Sequence, residues 1–343
     1  MKPKIPYTIL AIESSCDETA AAVYCSEKKL LSNELFSQID LHKMHGGVIP
    51  EIASRAHLEK IVTIVQAALD KANMIFDNID AIAVTTKPGL PGSLSVGVAF
   101  AKSIAWAANK KIIGIDHLEG HVFSACIENN IPFPFLALTV SGGHSSIYLV
   151  KNWGDFEIIA NTIDDAAGEA FDKIAKMMNL GYPGGPIIEK LAETVKFQDF
   201  FAYPRGKKKL HFSFSGLKTS VLYNLVQQGA YDLKTKKFLR DDDLLLKAQV
   251  ASSLLVCMGE TFKQKLSLAL ELYPEVKALA FVGGVACNKY LRSILKDFCE
   301  KKEMEFFHPS PKLCTDNAGM IAFVGNYKAQ QEKFSDFNLT ILD

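Results

Sequence analysis

The stretch Thr8-Ile9-Leu10-Ala11-Ile12 runs into Glu13-Ser14-Ser15-Cys16-Asp17-Glu18-Thr19 and out again through Ala20-Ala21-Ala22-Val23-Tyr24. Two apolar, β-prone runs flank a short polar turn, which is the pattern of a β-hairpin. The same pattern returns at Leu136-Ala137-Leu138-Thr139-Val140, Ser141-Gly142-Gly143-His144-Ser145-Ser146 and Ile147-Tyr148-Leu149-Val150. A tight loop of this kind can turn backbone N–H groups and small hydroxyls toward a phosphate. Two copies predict a duplicated, two-lobed architecture with a ligand cleft between the lobes.

Working outward, the chain alternates. Helical apolar spacing covers 61–72, a buried-type strand covers 81–85, and Pro88-Gly89-Leu90-Pro91-Gly92-Ser93 reads as a loop before an Ala-rich helix over 96–108. A strand at 111–115 leads to Asp116-His117-Leu118-Glu119-Gly120-His121. Further on, Ile163-Asp164-Asp165-Ala166-Ala167-Gly168-Glu169-Ala170-Phe171-Asp172 opens a helix whose acids complement its dipole, with one or two of them expected to face a cleft. Gly181-Tyr182-Pro183-Gly184-Gly185-Pro186 reads as a shaped loop, 242–272 as a helix and 278–282 as a buried strand. That strand enters Gly283-Gly284-Val285-Ala286-Cys287-Asn288, whose glycines let the backbone approach a ligand. The spacing is not G-x-G-x-x-G, which disfavours a Rossmann dinucleotide site. The class is α/β.

His117 and His121 stand four apart, on one face of a helix, where two imidazoles can share a metal ion or be two hydrogen-bonded histidines. In H-E-x-x-H proteases the glutamate follows the first histidine. Here it is Glu119, ~200° around the helix from His117, so it cannot serve a water held by the pair. Asp316, in Cys314-Thr315-Asp316-Asn317-Ala318-Gly319, is either a helix cap or a hard oxygen ligand.

The composition narrows the class of function. Apolar residues make up 48% of the 343 and charged residues 22%, as in globular proteins. No apolar run approaches the ~20 residues that cross a membrane. The start, Met1-Lys2-Pro3-Lys4-Ile5-Pro6, has no export signal, so a cytoplasmic location is expected. Seven scattered cysteines with no C-x-x-C fit reduced thiols. Lys plus Arg equals Asp plus Glu at 38 each, so there is no global field to draw nucleic acid. Local basic runs exist at Arg205-Gly206-Lys207-Lys208-Lys209 and Lys234-Thr235-Lys236-Lys237, both readable as solvated loops.

Taken together, the motifs resemble the TsaD family, the tRNA threonylcarbamoyladenosine transferases once described as glycoproteases. The resemblance is carried by the turn 13–19, by Gly46-Gly47-Val48-Ile49-Pro50-Glu51-Ile52-Ala53-Ser54-Arg55-Ala56-His57, by 117–121 and 140–144, and by 164–172 and 182–186. Phe212-Ser213-Phe214-Ser215-Gly216-Leu217-Lys218-Thr219, 283–288 and 314–317 complete it, in order, across nearly the whole chain.

The resemblance implies the fold of actin, sugar kinases and the Hsp70 ATPase domain (ASKHA), with duplicated mixed-sheet lobes and an interlobe cleft. Expected boundaries are 1–134 for the lobe with the histidine helix, 135–320 for the lobe with the substrate loops, and 321–343 for a helix and tail packing back on the first. It implies transfer of the threonylcarbamoyl group from threonylcarbamoyl-AMP to N6 of adenosine 37 in tRNAs reading ANN codons. By the same resemblance His117, His121 and Asp316 hold one divalent metal, Fe2+ in preference to Zn2+. Thr139, Val140, Ser141, Gly142, Gly143, Asp172, Gly185 and Asn288 contact the adenylate. Glu189 falls where relatives carry an aspartate touching the same ligand, and His45 where tyrosine is common. Glu13 stands in the place of the kinases' catalytic aspartate. Asp17 and Glu18, in the opposing hairpin, are the candidate general bases. Implied partners are the tRNA, a TsaB-like paralogue and a TsaE-like ATPase, with no membrane. The competing readings are a metalloprotease and an ATPase or nucleotide-sensing module.

Overall fold

β-branched and apolar runs broken by Gly-, Pro- and Asp-rich turns give strands, and the amphipathic segments between them give helices that cover the sheets. The computed structural model describes residues 6–44, 47–206 and 209–341; His45, and Lys207 and Lys208 of the first basic run, lie outside these. In chain order the strands are β1 Thr8–Glu13, β2 Glu18–Cys25, β3 Lys29–Ser37, β4 Ala81–Lys87, β5 Lys111–Asp116, β6 Phe135–Val140, β7 Ser145–Asn152, β8 Asp155–Asn161, β9 Tyr231–Asp232, β10 Lys237–Phe238, β11 Ala278–Val282 and β12 Glu305–Phe307. The helices are α1 Ile39–Lys43, α2 Pro50–Lys71, α3 Pro91–Ala107, α4 His117–Phe123, α5 Ala167–Met177, α6 Gly184–Thr194, α7 Ser215–Gln227, α8 Leu244–Leu272, α9 Lys289–Lys301, α10 Pro311–Cys314 and α11 Ala318–Gln330.

The chain forms two compact units, Met1–Asn129 with Lys312–Asp343, and Asn130–Pro311. The segment 312–320, expected with the second lobe, belongs to the first unit, because α11 packs on β1 and β2.

Each unit is built on a five-stranded mixed sheet. In the first the order is β3-β2-β1-β4-β5, and in the second β8-β7-β6-β11-β12. In both, the opening hairpin and third strand pair antiparallel, and the last two strands add in parallel to the first. The duplication expected from the two hairpins is therefore a duplication of whole-sheet topology.

In the first unit one sheet face carries Leu10, Ile12, Ala21 and Val23 against Ile61, Val65 and Leu69 of α2 and Val98, Ala101 and Ala105 of α3. The other face is covered by α11, whose Gly325 lies against Ile9 and Ala83. In the second unit Phe212 and Phe214 stack, Phe262 meets both edge-on, and Phe281 packs against Phe262, forming an aromatic core. α8 is long and apolar enough to cross a membrane by length and composition, yet 72% of its most apolar stretch is buried, which makes it a core helix of this unit.

Three boundaries differ from expectation. α2 begins at Pro50 and α3 at Pro91, because proline at the first helical position needs no N–H and is already set for the helix. α6 begins at Gly184, inside the stretch read as loop.

Candidate metal centre and substrate loops

β5 ends in Asp116, whose carboxylate accepts from the N–H groups of Leu118 and Glu119 and so starts α4. That helix buries His117 and His121 on one face. Asp316 comes from the loop before α11. The cap of α11 is Asn317, whose Oδ1 accepts from Met320 N at 3.0 Å, so Asp316 is released for another task. Its Oδ1 lies 3.0 Å from His121 Nε2 and 3.4 Å from His117 Nε2. The ligand atoms of the three residues all lie within 4.8 Å of one another.

Glu13, at the end of β1, is the residue that sequence reasoning did not connect to this site. It is wholly buried, with Oε2 3.0 Å from His117 Nδ1 and accepting from Thr85 Oγ1 at 2.6 Å, and Oε1 accepting from Ser15 N at 2.6 Å. Ser15 Oγ also stands 3.3 Å from His117 Nδ1. A carboxylate acceptor fixes the Nδ1–H tautomer, which turns the Nε2 lone pair toward Asp316. Two lone pairs facing each other repel, so either a proton or a cation must lie between them. Burial opposes charge on His117, but the Asp316 and Glu13 carboxylates outweigh it and hold its pKa well above the ordinary histidine value. Burial likewise opposes charge on Asp316, and His117 and His121 overcome it, holding that carboxyl well below its usual range. A metal ion replaces such a proton directly. The donor set of two imidazoles and a carboxylate suits a borderline divalent metal with open positions. Among the described residues His121 Nδ1 is buried with no partner.

Glu119 takes no part. It is buried against α11, its carboxylate 2.7 Å from Lys328 Nζ. The helical geometry that placed it off the His face holds. Of the two candidate bases, Glu18, the first residue of β2, is driven well above its ordinary pKa, first by burial and then by Asp316 and Asp17.

The substrate-loop residues come from the second unit. The β6–β7 loop closes on itself through Ser141 N to His144 O (2.8 Å) and His144 N to Ser141 Oγ (3.1 Å). The first turn of α5 touches it, with Gly168 N 3.2 Å from Ser141 O, and a Cβ at Gly168 would stand 2.5 Å from that oxygen. Gly283, at φ +90°, passes as close to Val140 O. Glycine is required at both. By contrast a Cβ at Gly142, Gly143 or Gly185 would meet open space. Thr139 Oγ1 is buried without a hydrogen-bond partner.

Asp172 accepts from Gly184 N at 2.7 Å and so shapes the start of α6. Asn288 caps α9 through Leu291 N (2.9 Å), and Glu189 Oε1 takes the next amides, Lys289 N (2.6 Å) and Tyr290 N (3.2 Å). Glu189 edges a recess of about 370 Å³ whose wall includes Phe197 and Tyr290, stacked with centroids 4.4 Å apart. The acids expected near a cleft are otherwise occupied: Asp164 binds Ser213, Phe214 and Ser215 at the start of α7, and Asp165 pairs with Lys173 and Lys218.

Two repeated mixed sheets define the class, an α/β protein of the ASKHA fold, and the first unit adds a buried His–His–Asp cluster. The sequence profile described as TsaD, tRNA N6-adenosine threonylcarbamoyltransferase, matches residues 29–323, and the chain belongs to that family. It is 45% identical over 335 residues to the "tRNA N6-adenosine threonylcarbamoyltransferase" of Clostridium beijerinckii, covering 96% of this chain and 95% of that protein. Proteins of the same name from Brachyspira hyodysenteriae and Staphylococcus aureus are 42% and 43% identical, each over 96% of this chain and 94% of theirs. Among solved structures, full-length HypF in its phosphate- and nucleotide-bound form superposes with a TM-score of 0.65 at 13% identity, covering 98% of this chain and 48% of HypF. The Acidaminococcus fermentans (R)-2-hydroxyglutaryl-CoA dehydratase component A gives 0.54 at 14% identity, covering 95% and 99%. At such identities these two speak for the fold alone.

Proposed function

We propose that the chain transfers the threonylcarbamoyl group of threonylcarbamoyl-AMP to N6 of adenosine 37 in tRNAs that read ANN codons. The observation that carries the reading is the His117–His121–Asp316 cluster backed by Glu13, in a chain 45% identical to a transferase of that name. N6 attacks the carbamoyl carbon, the bond from that carbon to the phosphate oxygen breaks, AMP leaves with the electron pair, and N6 gives up a proton.

His117, His121 and Asp316 would hold one divalent ion, Fe2+ in our reading, with Zn2+ suited to the same donors. When bound, the ion supplies Lewis-acid polarisation of a substrate oxygen and fixes its orientation. Glu13 orients His117 and raises its basicity as a ligand. The Thr139 hydroxyl, the loop Val140-Ser141-Gly142-Gly143, Asp172, Gly185 and Asn288 hold the adenylate, and the Tyr290–Phe197 recess takes its base. Glu189 supports this site by fixing the start of α9. Asp17 and Glu18, in the opposing hairpin, are the candidate bases for the proton on N6. The partners in this reading are the tRNA, a TsaB-like paralogue and a TsaE-like ATPase, and the setting is the cytoplasm. Nothing favours the protease reading, since Glu119 is paired with Lys328.

The test is incubation of the metal-loaded protein and its partner proteins with threonylcarbamoyl-AMP and an ANN-decoding tRNA. Mass spectrometry of the digested tRNA then detects the modified nucleoside. Its absence under metal-replete conditions overturns the proposal.

A further inference from the structure

The motif 46–57 has no part in the site described so far, yet its last residue, His57 on α2, is wholly buried. His57 Nε2 is 2.9 Å from Cys16 O, and a carbonyl only accepts, so Nε2 carries the proton. Nδ1, 2.8 Å from Thr19 Oγ1, then accepts from that hydroxyl. Burial holds the ring below the usual histidine pKa, in keeping with this neutral tautomer.

Cys16 lies in the turn between β1 and β2, and the carbonyls of that turn are clamped one after another. Ser15 O accepts from Leu90 N at 2.7 Å and Asp17 O from Gln38 N at 2.9 Å. Those two clamps are backbone amides. Cys16 O is held by side chains, chiefly His57, with Ser93 Oγ at 3.4 Å. In the same turn Ser15 meets His117 Nδ1 through Oγ and Glu13 through its N–H. A path of two hydrogen bonds joined by the Ser15–Cys16 backbone therefore runs from His57 to His117.

We propose that His57 is a positioning residue for the metal centre: it fixes the turn that sets Ser15 and Glu13 against His117. This rests on the metal-site reading above, and its effect runs through metal affinity, not contact with substrate. Glutamine carries its Nε2–H to about the position of the imidazole Nε2, whereas the shorter asparagine amide does not reach it. His57→Gln therefore keeps the bond to Cys16 O and His57→Asn loses it.

The test is calorimetric titration of the folded, metal-free full chain with Zn2+, alongside circular dichroism and Tm. His57→Asn is expected to bind Zn2+ about tenfold more weakly, at the low end for an outer-shell partner, and His57→Gln to bind like the wild type. Equal loss of Tm in both variants with unchanged Zn2+ affinity overturns the proposal, because that is what packing alone would do. If His57→Asn does not fold, Thr19→Val, which removes the hydroxyl that aims the ring, is expected to weaken Zn2+ binding, and unchanged binding overturns the proposal. A second readout needs no metal. The His117 imidazole resonances in long-range proton–nitrogen spectra should move in His57→Asn and stay in His57→Gln. If the wild type binds no Zn2+ or Fe2+, the metal-site reading fails, and these resonances still decide whether His57 positions His117.

Discussion

Replacing Glu13 by glutamine removes one charge from a wholly buried group without changing its shape. The carboxylate now accepts three bonds, from His117 Nδ1, Thr85 Oγ1 and Ser15 N. An amide has one oxygen, so its NH2 must face a donor, either Ser15 N–H or the His117 and Thr85 pair. In either orientation a buried bond is lost, and the charge assistance to His117 goes with it. A hydrogen bond to a charged group is worth about 1.5–3 kcal/mol. Loss of an outer-shell partner of a metal-binding histidine typically weakens affinity by about 10–100-fold, or about 1.4–2.8 kcal/mol. The two ranges agree, so Glu13→Gln should raise the Zn2+ or Fe2+ dissociation constant by about one to two orders of magnitude. Anaerobic calorimetric titration of the metal-free protein measures this, with circular dichroism to establish that the variant is folded. A folded Glu13→Gln protein with wild-type metal affinity would refute the claim that Glu13 orients His117.

Other outcomes follow from the same geometry. Asp316→Ala should abolish stoichiometric metal binding, read by ICP mass spectrometry, while leaving α11 intact, because Asn317 carries the cap. Lys328→Met leaves the Glu119 carboxylate buried and unpaired and should cost about 1–3 kcal/mol in a urea melt, with metal content unchanged. Tyr290→Ala should weaken AMP binding in calorimetry by about 1–3 kcal/mol, the range for loss of a base-stacking side chain. At Asp164 burial opposes the charge, but bonds from Ser213, Phe214 and Ser215 hold the carboxyl below its ordinary value. A depressed acid stabilises above its unfolded pKa of about 3.9 and loses that contribution as pH falls through the lower folded value. Asp164→Ala should therefore lower Tm at neutral pH, and its Tm should converge with that of wild type in acid.

Much of this architecture was readable because it is local. The hairpin turns at 13–19 and 141–146 are flanked by uniformly apolar strands, and both pair as expected. The first turns of α2 were not readable, since its buried face there consists of Ala53, Ala56 and His57, too small and polar to give an apolar period. The His117–His121 pair was visible from spacing. Glu13 was not, because its partner is 104 residues away and only the sheet brings them together. Asp316 reads from the sequence as cap or ligand, and that the cap falls to Asn317, beside it, depends on the loop geometry. The bonds that Glu189 Oε1 accepts from Lys289 N and Tyr290 N are equally hidden from the sequence, because the helix they open lies 100 residues on. Such long-range pairings are set by tertiary packing, which no local pattern encodes.

The most direct test of the central claim uses two transcripts of one ANN-decoding tRNA, one with adenosine 37 and one with guanosine there. Each is incubated with the metal-loaded protein, its partner proteins and threonylcarbamoyl-AMP, and its nucleosides are then analysed by mass spectrometry. The account predicts a threonylcarbamoyl mass increment on the adenosine transcript, matched by AMP released, and none on the guanosine transcript. No increment on either, or equal increments on both, would contradict it.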